Sequence, residues 1–237
     1  MQVWTASTGC PEGLSKTTRE AYNELLPYIT TFLTSKHPFR KGVMCPFMPA
    51  ALKNDEVYFS SMGISDTGKC IEAVKNMIEC FQSTKRIGGA AAILIFDPDQ
   101  EILPLLQTHI RMKKQCIRKN LMIGVLFKDS DAPSLHNDTF FPLRTPTPVI
   151  VIRDLTPSDL QFLQPDHHSI LDKVVFLRSY IKKISNEKHK TKAMLQSLAD
   201  AKNIKRKYTL ALAYRATFVI AAIMLIGLIV FRGIYVL

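Results

Sequence analysis

Apolar residues fall along this chain in three successive styles, each predicting different structure. From about Leu14 to Thr34 they recur at helical spacing, with Pro27 inside, where a proline kinks or splits a helix. A proline-rich segment follows, His37 to Pro49, and then Glu56 to Met62, which has strand character. Asp66-Thr67-Gly68 opens a helix to about Gln82, with Ile71, Val74, Ile78 and Phe81 on one side. Ala90 to Phe96 is continuously apolar, as a buried central strand is. Asp97-Pro98-Asp99 reads as the start of a helix to about Lys119, with Pro98 in its first turn. Leu121 to Phe127 and Val149 to Ile152 read as strands around a long polar loop, and Thr156 to Asp159 cap a helical turn into Leu160 to Leu163.

This order predicts an α/β layered domain with a mixed sheet of about four strands. It fits a thioredoxin-like order superficially, but no Cys-x-x-Cys supplies the redox chemistry.

The last third reads differently. Ile170 to Lys207 is expected to be helical, with Ile170, Leu171, Val174, Val175, Leu177 and Ile181 as its apolar face. Apolar residues thin out after Lys182, and Ala216 to Phe231 then runs without a charge. Leu210 to Tyr214 and Gly233 to Leu237 extend that run past Arg215 and Arg232, whose stems can carry their charges to the headgroups. A membrane-crossing helix needs about 20 mostly apolar residues, so a C-terminal transmembrane helix is expected. Ala216, Phe218, Ile220, Leu225, Ile229 and Phe231 would face lipid. The alternative is a core helix, which should show a polar stripe that this run lacks. The expected organisation is a helical segment over 1–36, an α/β domain over 37–181, a basic helical stalk over 182–209 and the anchor over 210–237.

Charge sharpens this division. The formal net charge is +11. Met1 to Asp172 carry 18 Lys/Arg against 18 Asp/Glu, whereas Lys173 to Arg215 carry 12 against 2. The domain is thus neutral, which argues against a nucleic-acid partner. The excess precedes the anchor, where Lys202, Lys205, Arg206, Lys207 and Arg215 are expected on anionic headgroups. The same cluster favours a cytosolic domain, with a tail that inserts after translation. In a eukaryote the outer mitochondrial membrane and the endoplasmic reticulum both fit. The N-terminus has neither the basic start nor the apolar core of a signal peptide.

Candidate chemistry lies on two loops, Gly42 to Leu52 and Lys128 to Pro148. Cys45, before Pro46, suits a thiolate nucleophile or an axial haem ligand, and Arg40 and Lys41 favour the thiolate. A structural thiol is the simpler alternative. His136 suits a base or ligand, and Cys45 and His136 are the candidate catalytic residues. Arg144 and Arg153 could clamp a carboxylate or phosphate, with ion pairs to Asp154 or Asp159 explaining them equally well. Asn137 and Phe47 complete the candidate ligand contacts. His109, Arg111, Lys113 and Lys114 read as a solvated helix face. The five cysteines form no zinc-spaced set with histidine, and Asp129, Asp131 and Asp138 lack calcium-loop spacing, so no metal is expected.

Three patches on these loops carry a resemblance: Cys45-Pro46-Phe47-Met48-Pro49-Ala50-Ala51-Leu52; Leu121-Met122-Ile123-Gly124; and Leu135-His136-Asn137 through Pro142-Leu143-Arg144-Thr145-Pro146-Thr147-Pro148 to Ile152-Arg153. With Asp159 to Leu163 they resemble, over about Pro38 to Leu163, a mostly bacterial family described only as a domain of unknown function. The family pattern continues the Gly124 patch with an acidic residue, Phe, His and Pro, where this chain has Val125-Leu126-Phe127-Lys128. The resemblance implies a shared fold and loop-built site, and no particular activity. The Cys-Pro-Phe segment is also similar, more faintly, to haem-dependent oxygenases of small-molecule biosynthesis. The leading expectation is a ligand-binding or regulatory module at a membrane surface, with a small-molecule or protein ligand between the two loops. The rival is a haem- or thiol-dependent enzyme.

Overall fold

A computed structural model describes residues 1–87 and 89–235, with side chains as far as Met224 and at Ile226. The chain divides into two compact units, Met1–Asp154 and Leu155–Leu237.

The first unit is built on a five-stranded mixed sheet: β1 (Trp4–Thr5), β2 (Val57–Met62), β3 (Ala91–Phe96), β4 (Leu121–Leu126) and β5 (Val149–Asp154), in the order β1-β2-β3-β5-β4. β2 and β3 are parallel and the other pairs antiparallel. The α/β class and mixed sheet are as expected. The extra strand is β1, two residues too short to leave a periodic signal. Asp55, at φ 55°, secures it by accepting hydrogen bonds from the hydroxyls of Thr5 (2.7 Å) and Ser7 (2.6 Å).

β3 shows why a continuous apolar run makes a central strand. Ala92, Leu94 and Phe96 face one core and Ile93 and Ile95 the other. The first core receives Val74, Ile78 and Phe81 of α3 (Thr67–Ser83) and Leu105, Met112 and Cys116 of α4 (Ile102–Arg118). The second receives Ala21, Tyr22 and Leu25 of α1 (Lys16–Pro27) and Met48 and Ala51 of α2 (Met48–Lys53).

Local chemistry sets the element ends. Ser15 caps α1 by accepting from the Thr18 N–H at 3.1 Å. Pro27 lacks an N–H, and after it the chain passes into a π-helical turn, Tyr28–Phe32, closed by Leu33 N–H on the Tyr28 carbonyl at 2.9 Å. This is the split the proline predicts. Asp66 caps α3 by accepting from the Lys69 N–H at 2.9 Å.

Asp97-Pro98-Asp99 does not start a helix. The Asp97 side chain accepts from the Asp99 N–H (3.1 Å) and its carbonyl from the Gln100 N–H (2.9 Å), forming a turn, and α4 begins at Ile102. A short acceptor side chain that bonds the backbone two residues on competes with helix initiation. Lys113 is buried, 4 % exposed, on the α4 stripe with Met112 and Cys116, so the expected solvated face does not include it.

In the second unit, a 3-10 turn (Pro157–Leu163) is closed by a capping box in which Asp159 accepts from the Thr156 N–H at 2.7 Å. The single helix expected from Ile170 to Lys207 is instead two, α5 (Ile170–Ser185) and α6 (Lys192–Tyr235), which pack on each other. Asn186 ends α5, and its N–H bonds the Lys182 and Lys183 carbonyls. The buried stripe of α5 is Lys173, Phe176, Leu177, Tyr180 and Ile184. Leu171, expected on the apolar face, is 63 % exposed. Leu177 of the expected face is buried and Ile170, Val174, Val175 and Ile181 are half-buried, but the stripe also takes in Lys173, which a hydrophobic pattern leaves out. Leu198 and Ala201 of α6 are also buried, within the span expected to be a basic helical stalk.

The segment Lys192–Met224 of α6 is long and apolar enough to cross a membrane, and none of its most apolar window is buried. Phe218 and Ile220 are 76 % and 57 % exposed, and Ala216 is exposed. The side chains of Leu225, Ile229 and Phe231, named for the same face, lie outside the described residues.

Candidate functional site

The π-helical turn stacks Tyr28 on Phe32, with centroids 5.2 Å apart. The Tyr28 hydroxyl donates to the Pro142 carbonyl at 2.6 Å, and Phe32 reaches Phe140 at 6.4 Å. Burial pushes the Tyr28 phenol well above its ordinary pKa, with Cys45 adding to the effect, so it stays a donor.

The chain then turns back on itself. His37 N–H bonds the Gly42 carbonyl (2.9 Å), Met44 N–H the Ser35 carbonyl (2.8 Å) and Cys45 N–H the Leu33 carbonyl (2.8 Å). Gly42 makes the reversal at φ 96°, a conformation open to a residue without Cβ. Arg40 fastens the loop by donating to the carbonyls of Lys41 (3.0 Å), Val43 (2.7 Å) and Met44 (2.8 Å).

The second loop is equally well tied. Ser134 N–H bonds the Phe140 carbonyl at 2.7 Å, and Asn137 Oδ1 accepts from the Thr139 N–H (2.8 Å) and hydroxyl (2.6 Å). Thr147 donates to the Phe96 carbonyl at 3.1 Å, fixing the Pro-Leu-Arg-Thr-Pro-Thr-Pro run to the end of β3.

An aromatic cluster joins the second loop to His37 and Phe39, on the stretch of chain that turns back into the first loop. The His37 ring stands perpendicular to that of His136 at 5.5 Å, and is T-shaped to Phe140 (5.6 Å) and Phe39 (6.4 Å). Phe39 and Phe140 lie 5.6 Å apart. His37 is 4 % exposed, whereas His136 is exposed. The Phe39 N–H donates to His37 Nδ1 at 3.0 Å, so the neutral ring carries its proton on Nε2. Burial lowers the His37 pKa, and the charges of Arg40 and His136 lower it further. Leu135 (60 %) and Leu143 (39 %) of the second loop, and Phe39 (48 %) just before the first, are exposed apolar side chains.

The sequence-selected residues divide accordingly. His136 sits in the cluster. Cys45 is half-buried at the base of the first loop, packed against the α1-side core. Phe47 lies against Gly89, where a Cβ would come within 3.3 Å of the Phe47 Cβ. Asn137 holds its own turn. Arg144 donates through Nε to the Ser130 carbonyl (2.9 Å) and lies 4.1 Å over the Phe141 ring. Arg153 stands on β5 opposite Met122 and Ala91, four residues and about 13 Å from Val149 at the loop end of the strand, and donates to the Asp154 carbonyl at 3.0 Å. The two arginines therefore belong to different ends of the sheet. Among the described residues, no three His, Cys, Asp or Glu side chains are grouped to hold a metal ion.

Sequence reasoning overlooked His37, Phe140, Tyr28 and Phe32. The four-residue spacing of Tyr28 and Phe32, on a helix leading into His37-Pro38-Phe39, was the available signal. Neither residue declares its partner across the chain.

The model of a family described as "Domain of unknown function (DUF6875)" matches residues 22–194. That span contains the 38–163 stretch on which the sequence resemblance rests. No curated protein and no solved structure matches the chain.

Proposed function

The chain belongs to the DUF6875 family, and from that premise we propose that it is a membrane-tethered protein whose α/β unit binds a ligand where its two long loops meet. One observation carries the reading: the segment leading into the first loop and the second loop share one aromatic cluster, in which His37 meets His136 and Phe140. Well-tied loops carrying exposed apolar side chains suit a ligand with an apolar face. That ligand is a small molecule or a protein segment.

In this reading α6 crosses a bilayer once, with the first unit in the cytosol. Lys202, Lys205, Arg206, Lys207 and Arg215 rest on anionic headgroups at the cytosolic side. The exposed apolar length of α6 supports it. In a eukaryotic cell, the outer mitochondrial membrane and the endoplasmic reticulum are the membranes it fits.

Native mass spectrometry of the purified full-length protein tests the ligand site. A bound species retained by the wild type and lost in Phe140→Ala and His136→Ala supports it; a species retained equally by both variants removes it. The half-buried Cys45 keeps one rival in play, a haem- or thiol-dependent enzyme. An absorption spectrum of the same sample decides the haem version. A Soret band lost in Cys45→Ala or His136→Ala favours it, and a colourless protein removes it.

A further inference from the structure

The second unit contains a register that relates its loops to depth along α6. Tyr180 of α5 lies beside Ser197 of α6, and Lys173 Nζ lies 5.7 Å from the centroid of the Tyr208 ring. Seven residues back along α5 thus correspond to eleven forward along α6, which makes the pair antiparallel. Tyr208 also donates to Gln164 Oε1 at 3.2 Å. The turn from Gln164 to Ser169, with the first turn of α5, therefore stands level with Tyr208.

Tyr208 marks the approach to the apolar run. At 1.5 Å per residue, Leu210 lies about 3 Å beyond it and Ala216 about 12 Å beyond it. The polar interface of a bilayer is about 5–7 Å thick on each side. With the hydrocarbon beginning between Leu210 and Ala216, this end of the unit stands at or just above headgroup depth. Two large apolar side chains are exposed there: Phe162, 39 % exposed, two residues before Gln164, and Leu171, 63 % exposed, which the register sets between the levels of Arg206 and Leu210. On α6 just above the level of Tyr208, Arg206 and Lys207 are exposed. Aromatic and aliphatic tips beside lysine and arginine match a surface of apolar chains under anionic phosphates.

We propose that this end of the second unit is a lipid-docking surface, in which Phe162 and Leu171 enter the headgroup layer of an anionic bilayer while Arg206 and Lys207 meet its phosphates. It rests on the reading of α6 as a membrane span. It adds that the second unit is seated on the bilayer rather than carried above it on a free stalk.

The test uses full-length protein in vesicles of phosphatidylcholine and phosphatidylserine, with and without phosphatidylcholine brominated near the headgroup end of its chains. Tryptophan is placed singly as Phe162→Trp, Leu171→Trp and, within the apolar run, Phe218→Trp. The one native tryptophan, Trp4, is buried and supplies a constant background. The expected result is a blue shift, and a loss of emission in brominated vesicles, for all three variants beyond the wild type. Loss for Phe218→Trp alone overturns the docking surface and leaves the span intact. Loss for none of the three overturns both.

Discussion

Tyr28 donates a 2.6 Å hydrogen bond to the carbonyl of Pro142, 114 residues away, joining the π-helical turn to the loop that carries His136. Tyr28→Phe keeps the ring on Phe32 and removes only this bond. A buried hydrogen bond contributes about 1 kcal/mol, and the Pro142 carbonyl would lose its partner. The expected outcome is a stability lower by that amount, read as a lower urea midpoint with an unchanged slope. Amide exchange should quicken in 128–148 and stay unchanged in β3. Uniform quickening would mean that the bond serves the whole fold rather than the loop pair.

The His37 ring gives the same cluster a pH dependence. Its folded pKa lies below the ordinary value of 6.5, because burial first, and then Arg40 and His136, disfavour the imidazolium. Between the two pKa values the unfolded chain binds more protons, so stability falls as the pH drops through about 6.5 and is fully regained above it. His37→Gln removes the titration while retaining an acceptor for the Phe39 N–H. The melting temperature of the wild type should therefore fall more steeply on acidification than that of His37→Gln. Parallel slopes for the two proteins would sink the assignment.

What the sequence made legible follows from the range of each interaction. The continuous run of β3, the Asp66 cap and the break at Pro27 are local events, and pattern reading finds them. β1 depends on Asp55 and on a strand more than fifty residues away, which no periodicity encodes. The α5 stripe is legible only in part, because Lys173 is buried with its charge beside Asp166 and the Tyr208 ring, which a hydrophobicity pattern does not encode. At the site, the two loops were recognisable from their composition. The contact of His37, upstream of the first loop, with His136 and Phe140 was not, because it joins segments about a hundred residues apart. Arg144 and Arg153 looked equivalent in sequence, but β5 carries one of them to its far end.

The cysteines separate by environment. Burial raises the Cys70 thiol to about 11 and the Cys116 thiol to about 12. Cys45 and Cys80 are half-buried rather than buried. Since the thiolate is the reactive form, native alkylation near neutral pH should modify Cys45 and Cys80 well before Cys70 and Cys116. Peptide mass spectrometry over a time course reads the order. Labelling of Cys116 as fast as Cys45 would contradict the buried placement of α4.

Where the second unit ends and the anchor begins can be set by truncation. Ala201 is fully buried, Leu198 is 9 % exposed, and Tyr208 bonds Gln164. A chain ending at residue 200 keeps the first loops and the sheet but loses Ala201 and Tyr208 from the α5–α6 pair. A chain ending at 209 keeps both and lacks the apolar run. Removing a buried methyl and a half-buried ring should cost roughly 1–3 kcal/mol. The 209-residue chain is therefore expected in the supernatant after ultracentrifugation, with the unfolding midpoint of the second unit intact. The 200-residue chain should be soluble but less stable, with faster amide exchange across α5. The full-length chain should stay in the membrane pellet through alkaline carbonate. Its release by carbonate would remove the membrane span, and equal stability of the two truncated chains would remove the structural role assigned to residues 201–208.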